Sequence, residues 1–384
     1  MAIKPGRPKK KTAGKRKYKK PGSYDFTVLF IVLTLVLFGV VMIFSSSYYY
    51  TMTSAKYEYD MFHFLKKQGL WAVFGIIAMV AAMNVPYNFY KRFAWFCYWL
   101  SNFFLILLPF VGIEAGGQKR WLGVGPIQFQ PSEFTKVAVI LALSVYLIEH
   151  RRELGNIKGF AKACFILLVP VALIAMSNFS SALLVGLMGA AILFVASPRV
   201  WYFGAAIAAA VPLCGIAVLL PQFRYRLGRI TTWLDPWSDP TDAGFQTIQS
   251  LYAVASGGLF GLGLGQSRQK TFIPEAYNDI IFAIICEELG LVGAALVIVL
   301  FAVLIWRGIR IAMNAKDQFG MLVATGITSV IAFQSIINIG VVTNTIPNTG
   351  QPLPFVSYGG TSLLFLMGMV GVLLNISRYP RDGE

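Results

Sequence analysis

Long apolar runs separated by short polar stretches make up most of the chain from residue 26 onward. A run of about 20 apolar residues is long enough for a helix to cross the hydrocarbon core of a bilayer. The stretches that approach this length are 26–46, 68–85, 92–112, 133–149, 162–177, 180–197, 201–220, 280–306, 319–343 and 357–376. The pattern therefore predicts an all-α polytopic membrane protein with about ten transmembrane helices.

The composition supports this fold class and a single domain. Of the 384 residues, 57% are hydrophobic and only 13% are charged, whereas a soluble domain is about a quarter charged. Residues 26–376 are predicted to form one transmembrane domain, with a basic, disordered tail at 1–25 and a short tail at 377–384. The cysteines have no CxxC spacing and the two histidines lie far apart, so neither residue type indicates a metal site.

Positive charge is distributed unevenly along the chain and predicts its orientation. Residues 1–25 contain ten Lys and Arg residues and a single acid, Asp25. With this tail inside the cell, the inner segments contain 20 Lys and Arg residues and the longer outer segments contain 10. This asymmetry predicts cytoplasmic termini and a large outer loop at 221–279. The tail is interpreted as a topology signal that touches anionic lipid, and binding to nucleic acid is not expected.

Asp279 ends the large outer loop, where the polar stretch QSRQKTFIPEAYN gives way to the apolar run 280–306. On a helix, Asp279, Ala283, Cys286 and Gly290 share one face. The small residues on that face would let a lipid tail or another helix approach the carboxylate. The alternative is that Asp279 only caps the helix, because Asp is a preferred N-cap residue. The spacing alone leaves both interpretations open.

The same loop also contains glycines and cations. Gly261, Gly263 and Gly265 are followed closely by Arg268 and Lys270. A GxGxG pattern outside a strand–helix context is a weak indication of phosphate binding, so a flexible turn at the membrane interface is the preferred interpretation. The loop is nevertheless predicted to bring two cations and one carboxylate to the outer membrane surface.

A second polar cluster, residues 113–136, lies before and at the start of the fourth helix. It contains the basic pair Lys119 and Arg120, and then Glu133 and Lys136 at the helix start. Glu133 and Lys136 are three residues apart and can form an ion pair on one helix face. Because ionisable residues in membrane spans are usually functional, Lys136 has a second interpretation. With Arg120 it would suit a diphosphate headgroup.

The third polar cluster, NTIPNTGQPLPFVSYGGTS at 344–362, contains three prolines and three glycines and predicts a non-helical outer turn. Gln334 and Asn338 precede it, four residues apart in the ninth predicted span. Amide side chains at this spacing in a membrane helix are predicted to form interhelical hydrogen bonds.

These clusters resemble the SEDS family (shape, elongation, division and sporulation), which includes the FtsW, RodA and SpoVE proteins. The similarity covers nearly everything after residue 25, and SSSYY and LLNISRYP look more like the FtsW and SpoVE members than RodA. The matching stretches are KRWLGVGPIQFQPSEFTK, WLDPWSDPTDAGFQTIQSLYAVASGGLFGLGLGQSRQKTFIPEAYNDIIFAIICEELG and TGQPLPFVSYGGTSLL.

The resemblance implies a ten-helix enzyme that polymerises glycan strands from lipid II at the outer face of the bacterial cytoplasmic membrane. A monofunctional class B penicillin-binding protein and other divisome or elongasome membrane proteins are the implied partners. Asp279 matches the family's essential acidic position. The chain departs from the family at Tyr277-Asn278, where His-Thr is frequent, and at the SNFSS turn, which usually contains a Pro and often an Asp. A role for a neighbouring His is therefore not carried over.

Glycosyl transfer from a lipid diphosphate needs a base for the incoming hydroxyl and cations for the departing diphosphate. Asp279 is predicted to be the base, and partial burial would raise its pKa. A divalent cation, Mg²⁺ or Mn²⁺, is suggested by the resemblance alone, since the sequence contains no metal-ligand spacing. The residues predicted to contact the substrate are Lys119, Arg120, Glu133, Lys136, Arg268 and Lys270.

Two other functions remain open from the sequence. One is a lipid II flippase or another transporter, and the other is a non-catalytic scaffold for a transpeptidase. Transporter sites tend to lie near the membrane midplane between repeated halves of the chain. Here the ionisable groups gather at the predicted outer face, and the sequence shows no two-fold repeat, so the enzyme is preferred.

Overall fold

The computed structural model describes residues 22–381 except 116–117, 125–126, 206–207, 209–223, 243 and 274. Residues 1–21 of the basic tail that was predicted to be disordered, and most of the seventh predicted span, lie outside these residues. The helices are α1 (Phe26–Thr53), α2 (His63–Asn84), α3 (Tyr87–Val111), α4 (Pro131–Glu149), α5 (Ile157–Ser177), α6 (Phe179–Ala196), α7 (Arg224–Leu234), α8 (Phe245–Ser256), α9 (Ile281–Met313), α10 (Gln318–Val342) and α11 (Gly360–Ser377). The strands are β1 (Ile113–Ala115), β2 (Gln118–Val124) and β3 (Ile127–Phe129).

Among the described residues, 9 helices are long and apolar enough to cross a membrane, namely α1 to α6 and α9 to α11. They correspond to nine of the predicted spans. Several helices extend beyond the apolar run, and α1 continues to Thr53 where 46 was predicted. Hydroxyl groups bond back to the helix there, with Ser46 Oγ donating to Met42 O at 2.8 Å. Polar residues can thus continue a helix after the apolar pattern has ended.

The core of the bundle is built around α4. Nearly every residue from Pro131 to Leu147 is buried, and α3, α6, α10 and α11 pack around this helix. By contrast, α3 exposes large apolar side chains such as Trp99 and Phe110. Close backbone approach is seen at another helix pair, α2 and α11. A Cβ at Gly371 of α11 would lie 2.3 Å from Met79 O of α2, as is common where membrane helices pack.

The two ends of the described chain meet at one end of the bundle. Gly22 N donates to Arg378 O at 2.9 Å, and Asp25 forms an ion pair with Arg307 at 2.6 Å. The opposite end is where α1, α3, α5 and α10 finish and where α9 begins. We call it the loop end, because the predicted polar clusters lie there.

The longest helix, α9, is broken at Gly290, which has φ 67° and ψ −167°. The segment 257–265, which follows α8, packs against the break and supplies the backbone partners that the helix lacks. The hydrogen bonds are Leu262 N to Glu287 O (2.9 Å), Gly263 N to Glu288 O (3.0 Å), Leu291 N to Gly258 O (2.9 Å) and Val292 N to Leu259 O (3.1 Å). The break is therefore compatible with a membrane, where backbone groups must find partners within the protein.

The glycines of this segment permit its close approach to α9. A Cβ at Gly261 would lie 2.2 Å from Glu288 O, and one at Gly257 would lie 1.9 Å from Cys286 O. Gly261, Gly263 and Gly265 all have positive φ, which other residues rarely adopt. The segment was predicted to be a flexible interfacial turn. Instead its backbone is hydrogen-bonded to α9, with Leu262 N and Gly263 N as donors and Gly258 O and Leu259 O as acceptors.

A small antiparallel sheet of order β1-β2-β3 connects α3 to α4 at the loop end. Trp121 of β2 lies opposite Ile113 of β1, and Leu122 lies opposite Phe129 of β3. The sequence shows only a polar cluster here, because the strands are too short to show alternation. The sheet fixes the backbone of the pair Lys119 and Arg120.

Candidate active site

A cavity of about 860 Å³ lies at the loop end of the bundle. Five parts of the chain contribute to its walls: strand β2, the turn between α5 and α6, the region of α7 and α8, Asp279 just before α9, and the segment after α10. The polar residues on these walls include Gln118, Arg120, Asn178, Thr232, Trp233, Asp242, Gln246, Asp279, Asn344, Asn348 and Thr349. Of the predicted site residues, Asp279 and Arg120 line it.

Asp279 is partly buried at the wall of this cavity. The N-cap of α9 is Ile280, and no side chain caps that helix, so the capping alternative does not describe the structure. Burial raises the pKa of Asp279 to about 6, and the nearby charge of Glu275 adds to the rise. At neutral pH the carboxylate is mainly ionised, yet it is a stronger proton acceptor than a solvated one.

The predicted face below Asp279 is covered by protein. Ala283, Cys286 and Gly290 are all buried, and the segment 257–265 lies against Cys286 and Gly290. The small side chains therefore admit a polypeptide backbone rather than a lipid tail.

The backbone around Asp279 is anchored on two sides. Tyr358 N donates to Tyr277 O at 2.9 Å, and the Tyr277 ring packs on Phe64 with centroids 4.2 Å apart. On the other side, Asn338 Nδ2 donates to Asp279 O at 2.6 Å. The departure from the family at Tyr277 thus places a buried aromatic side chain two residues before the carboxylate.

Of the two predicted residues that line the cavity, Arg120 of β2 is the positively charged one. It is partly exposed, and its Nε donates to Ser177 O at the end of α5, at 3.3 Å. The guanidinium is thereby held next to the turn between α5 and α6. A side chain with several N–H groups at this position can bind a phosphate group through charge-assisted hydrogen bonds.

Lys136 and Glu133 form the predicted ion pair, with Lys136 Nζ 2.8 Å from Glu133 Oε1. Both side chains are almost completely buried, and Ser362 Oγ of α11 donates to Glu133 Oε2 at 2.9 Å. Neither residue lines the cavity. We therefore assign the pair to the contact between α4 and α11 and do not carry Lys136 or Glu133 into the diphosphate site.

Lys270 was predicted to contact the substrate, but its side chain does not line the cavity. Its ammonium group is buried and donates to Ser45 O (3.1 Å), Gly265 O (2.6 Å) and Glu288 Oε1 (3.2 Å). Three partners use all three N–H groups of a lysine. The side chain is therefore an internal tie between α1, α9 and the segment after α8, because Glu288 is fully buried and needs a cation.

Arg268 and Lys119 were also predicted to contact the substrate, and neither lines the cavity. The backbone N of Arg268 donates to Glu287 Oε1 at 2.9 Å, while its side chain is exposed. Lys119 Nζ donates to Pro109 O at 2.8 Å on an exposed surface. Both stay outside the site proposed below.

Several cavity residues escaped the sequence analysis. Trp233 donates its Nε1–H to Asn344 O at 2.9 Å, and Asn348 Nδ2 donates to Gln246 Oε1 at 3.1 Å. These contacts join α7 and α8 to the segment after α10. A second carboxylate on the cavity wall, Asp242, lies between α7 and α8. Only the fold brings these distant segments together.

The family model for FtsW, RodA and SpoVE, described as cell cycle protein, matches residues 26–382. The chain belongs to this family. Stage V sporulation protein E of Bacillus subtilis is 45% identical over 94% of the chain and 99% of the relative. A probable peptidoglycan glycosyltransferase FtsW of Geobacter sp. strain M18 is 42% identical over 93% and 98%. The resemblance noted in the sequence is thus confirmed.

Solved structures of the family share this architecture. A chain from a peptidoglycan synthase complex, described as coordinating polymerization and crosslinking, has a TM-score of 0.77 at 26% identity and covers 93% of this chain and 98% of its own. The rod shape determining protein RodA of Thermus thermophilus has a TM-score of 0.68 at 24% identity, covering 92% and 97%. The protein is therefore a multi-pass membrane protein with the fold of this family.

The divalent cation suggested by the family has no site built from protein ligands in the described part of the chain. No three His, Cys, Asp or Glu side chains there lie close enough to hold a metal ion. The cavity wall offers Asp279 and Asp242 as carboxylates, together with amide and hydroxyl oxygens. This donor set does not form a cage, and none of the steps proposed below uses a metal.

Proposed function

We propose that this protein is a peptidoglycan glycosyltransferase that polymerises lipid II into glycan strands for cell division or sporulation. The observation that carries the proposal is the placement of Asp279 and Arg120 on the walls of one cavity. A base and a cation are what glycosyl transfer from a diphosphate requires. The relative named as a probable peptidoglycan glycosyltransferase, which aligns over almost its whole length, supports the same reaction.

In the proposed reaction, a hydroxyl of the acceptor sugar attacks the anomeric carbon of the donor sugar. The bond between that carbon and the diphosphate oxygen breaks, and the proton of the hydroxyl moves to the Asp279 carboxylate. The undecaprenyl diphosphate leaves with the bonding electron pair, and the Arg120 guanidinium stabilises its charge. A positioned general base typically contributes about 10² to 10⁴ in rate, and one donor to a developing anion about 10² to 10³.

We place the loop end outside the cytoplasmic membrane and both termini in the cytoplasm, because the opposite segments carry the excess of Lys and Arg. Thr241 and Asn156 are both exposed and lie in segments predicted to be on opposite sides. An impermeant thiol reagent on intact cells is expected to label Thr241→Cys and to leave Asn156→Cys unlabelled. Labelling of Asn156→Cys alone would invert this topology.

A class B penicillin-binding protein is the proposed partner, with other divisome or elongasome membrane proteins around it. The support is the similarity to a chain from a synthase complex that couples polymerization with crosslinking. A polymerase that feeds a transpeptidase would be expected to work in such an assembly.

The decisive assay is incubation of the purified full chain with fluorescent lipid II, alone and with the partner. Glycan polymer is expected, and it identifies the enzyme. Movement of lipid II across vesicles without polymer would identify a flippase, and the absence of both activities would identify a scaffold. Either of the last two results overturns the proposal.

Arg120→Ala is expected to lower kcat for lipid II polymerisation by about 10²-fold, because leaving-group charge develops in the transition state. Lys119→Ala is the matched control, since the adjacent cation does not line the cavity. Equal losses from the two substitutions would remove the diphosphate role from Arg120.

A further inference from the structure

Asn338 lies four residues before the end of α10, and its side chain is 1% exposed. Its Nδ2 donates to Asp279 O at 2.6 Å and to Gln351 O at 2.7 Å. An asparagine amide nitrogen has two hydrogens, so both are committed. The orientation of the amide is fixed, because the reverse orientation would set its oxygen against two carbonyl oxygens. The sequence analysis predicted an interhelical bond, whereas the partners are backbone groups of two separate segments.

The segment held by Asn338 also faces the carboxylate of Asp279. A Cβ built on Gly350 would lie 3.4 Å from Asp279 Oδ2, and Gly350 has φ 63°. Gly350 and Asp279 both line the cavity, while Asn338 does not. Asn338 therefore ties together two walls of the cavity from behind.

In the part of the chain that the structure describes, the other contacts near Asp279 do not join its backbone to the segment after α10. The residue makes no side-chain cap to α9, so capping does not fix the carboxylate. Tyr277 anchors the chain two residues earlier, on the side of α2. Gln334, one turn before Asn338, donates Nε2 to Pro352 O at 3.0 Å. That bond fastens the segment after α10 but does not reach Asp279.

We propose that Asn338 is a positioning residue for catalysis, which holds the Asp279 backbone so that its carboxylate stays against Gly350 at the cavity wall. The proposal rests on the assignment of Asp279 as the base. A displacement of about 1 Å of a reacting group can lower the rate on the order of 10²-fold. The neutral amide provides two donors without placing a charge next to the carboxylate. An aspartate at this position would add a negative charge, and a leucine would provide no donor.

The test measures lipid II polymerisation by the full chain with Asn338→Leu, using Gln334→Leu as the matched control on the same helix face. Asn338→Leu is expected to lower kcat on the order of 10²-fold, with KM for lipid II within about twofold. Gln334→Leu is expected to lower kcat much less. Equal losses in both variants would mean that Asn338 only fastens the segment after α10, and would overturn the proposal.

The pH profile of kcat provides a second readout that a purely structural role would not move. In Asn338→Leu the released carboxylate becomes better solvated, so the acid limb of the profile is expected to shift to lower pH. In Asn338→Asp the new charge disfavours a second carboxylate, so the limb is expected to shift to higher pH. If Asn338→Leu does not accumulate in the membrane, Asn338→Ser is measured in the same way. An unmoved limb in these variants contradicts the positioning role.

Asp279→Asn separates this proposal from the assignment on which it rests. If Asp279→Asn polymerises lipid II normally, Asp279 is not the base, and both the base assignment and the positioning role of Asn338 fail. If Asp279→Asn is inactive while Asn338→Leu keeps the wild-type kcat and pH profile, the positioning role alone is refuted.

Discussion

Asp279→Asn should remove activity and at the same time stabilise the protein in alkaline buffer. The folded chain holds the pKa of Asp279 at about 6, above its ordinary value of 3.8. A carboxyl group whose pKa is higher in the folded chain than in the unfolded chain stabilises the fold at pH values below its pKa in the unfolded chain. This stabilisation is lost as the pH rises through its pKa in the folded chain. Asparagine has no charge to bury, so the variant lacks this loss. The stability of Asp279→Asn relative to the wild type must therefore increase between about pH 4 and pH 6.

The size of the effect follows from the two pKa values. The rise of the pKa from 3.8 to about 6 lowers the free energy of unfolding by about 3 kcal/mol near pH 8 and by about 1 kcal/mol near pH 4.5, relative to its value at low pH. Because Asp279 is partly exposed, solvent reduces both values, and we take them as upper limits. Asparagine keeps an acceptor oxygen for the backbone N–H of residue 279. The net gain at high pH is thus expected to be of the order of 1–3 kcal/mol.

Thermal unfolding in detergent at both pH values, together with a lipid II polymerisation assay, measures the two effects. Polymerisation by Asp279→Asn is expected to fall by about 10² or more. Its melting temperature should exceed that of the wild type near pH 8 and approach it near pH 4.5. A variant that is less stable than the wild type near pH 8 would show that the carboxylate is favourably bonded. Full activity would remove Asp279 from catalysis.

Further substitutions test neighbouring features. Lys270→Met leaves the buried carboxylate of Glu288 without its cation and is expected to lower stability by about 3–5 kcal/mol; adding Glu288→Gln should restore most of the melting temperature. Gly261→Ala is expected to abolish the yield of folded protein, because its Cβ would lie 2.2 Å from a carbonyl oxygen. Gly258→Ala, which also has positive φ but open space around it, should cost only about 1 kcal/mol. Glu275→Gln should move the acid limb of the polymerisation rate to lower pH, because the Glu275 charge raises the pKa of the base.

The sequence predicts the spans of this protein well, because a bilayer selects long apolar runs whatever the fold. An ionisable residue directly before such a run is unusual, and this signal leads to Asp279, which lines the cavity. The family motifs then supply a function that hydropathy cannot. What hydropathy misses is the length of helices such as α1, whose serine and threonine hydroxyls bond to the helix itself.

Contacts between distant segments account for the remaining errors. Lys270 looked like a ligand because the sequence does not show which cations are already paired. Glu287 and Glu288 interrupt an apolar run, and buried carboxylates need partners. Searching for those partners would have pointed to the nearby segment 266–271. The break at Gly290 leaves no such signal, because glycine is frequent in membrane helices and its partner, Gly261, lies far away in the sequence.

The break in α9 also separates the end of the helix next to Asp279 from the part that exposes apolar side chains. A continuous helix of this length would extend about 50 Å, well beyond a hydrocarbon core of about 30 Å. Residues 281–288 are buried in protein, whereas 291–313 expose apolar side chains such as Leu291 and Leu296. Hydrophobic mismatch therefore acts on 291–313, which can tilt, while 281–288 remain held by their neighbours. Polymerisation measured in vesicles of increasing acyl-chain length is expected to change little for this reason.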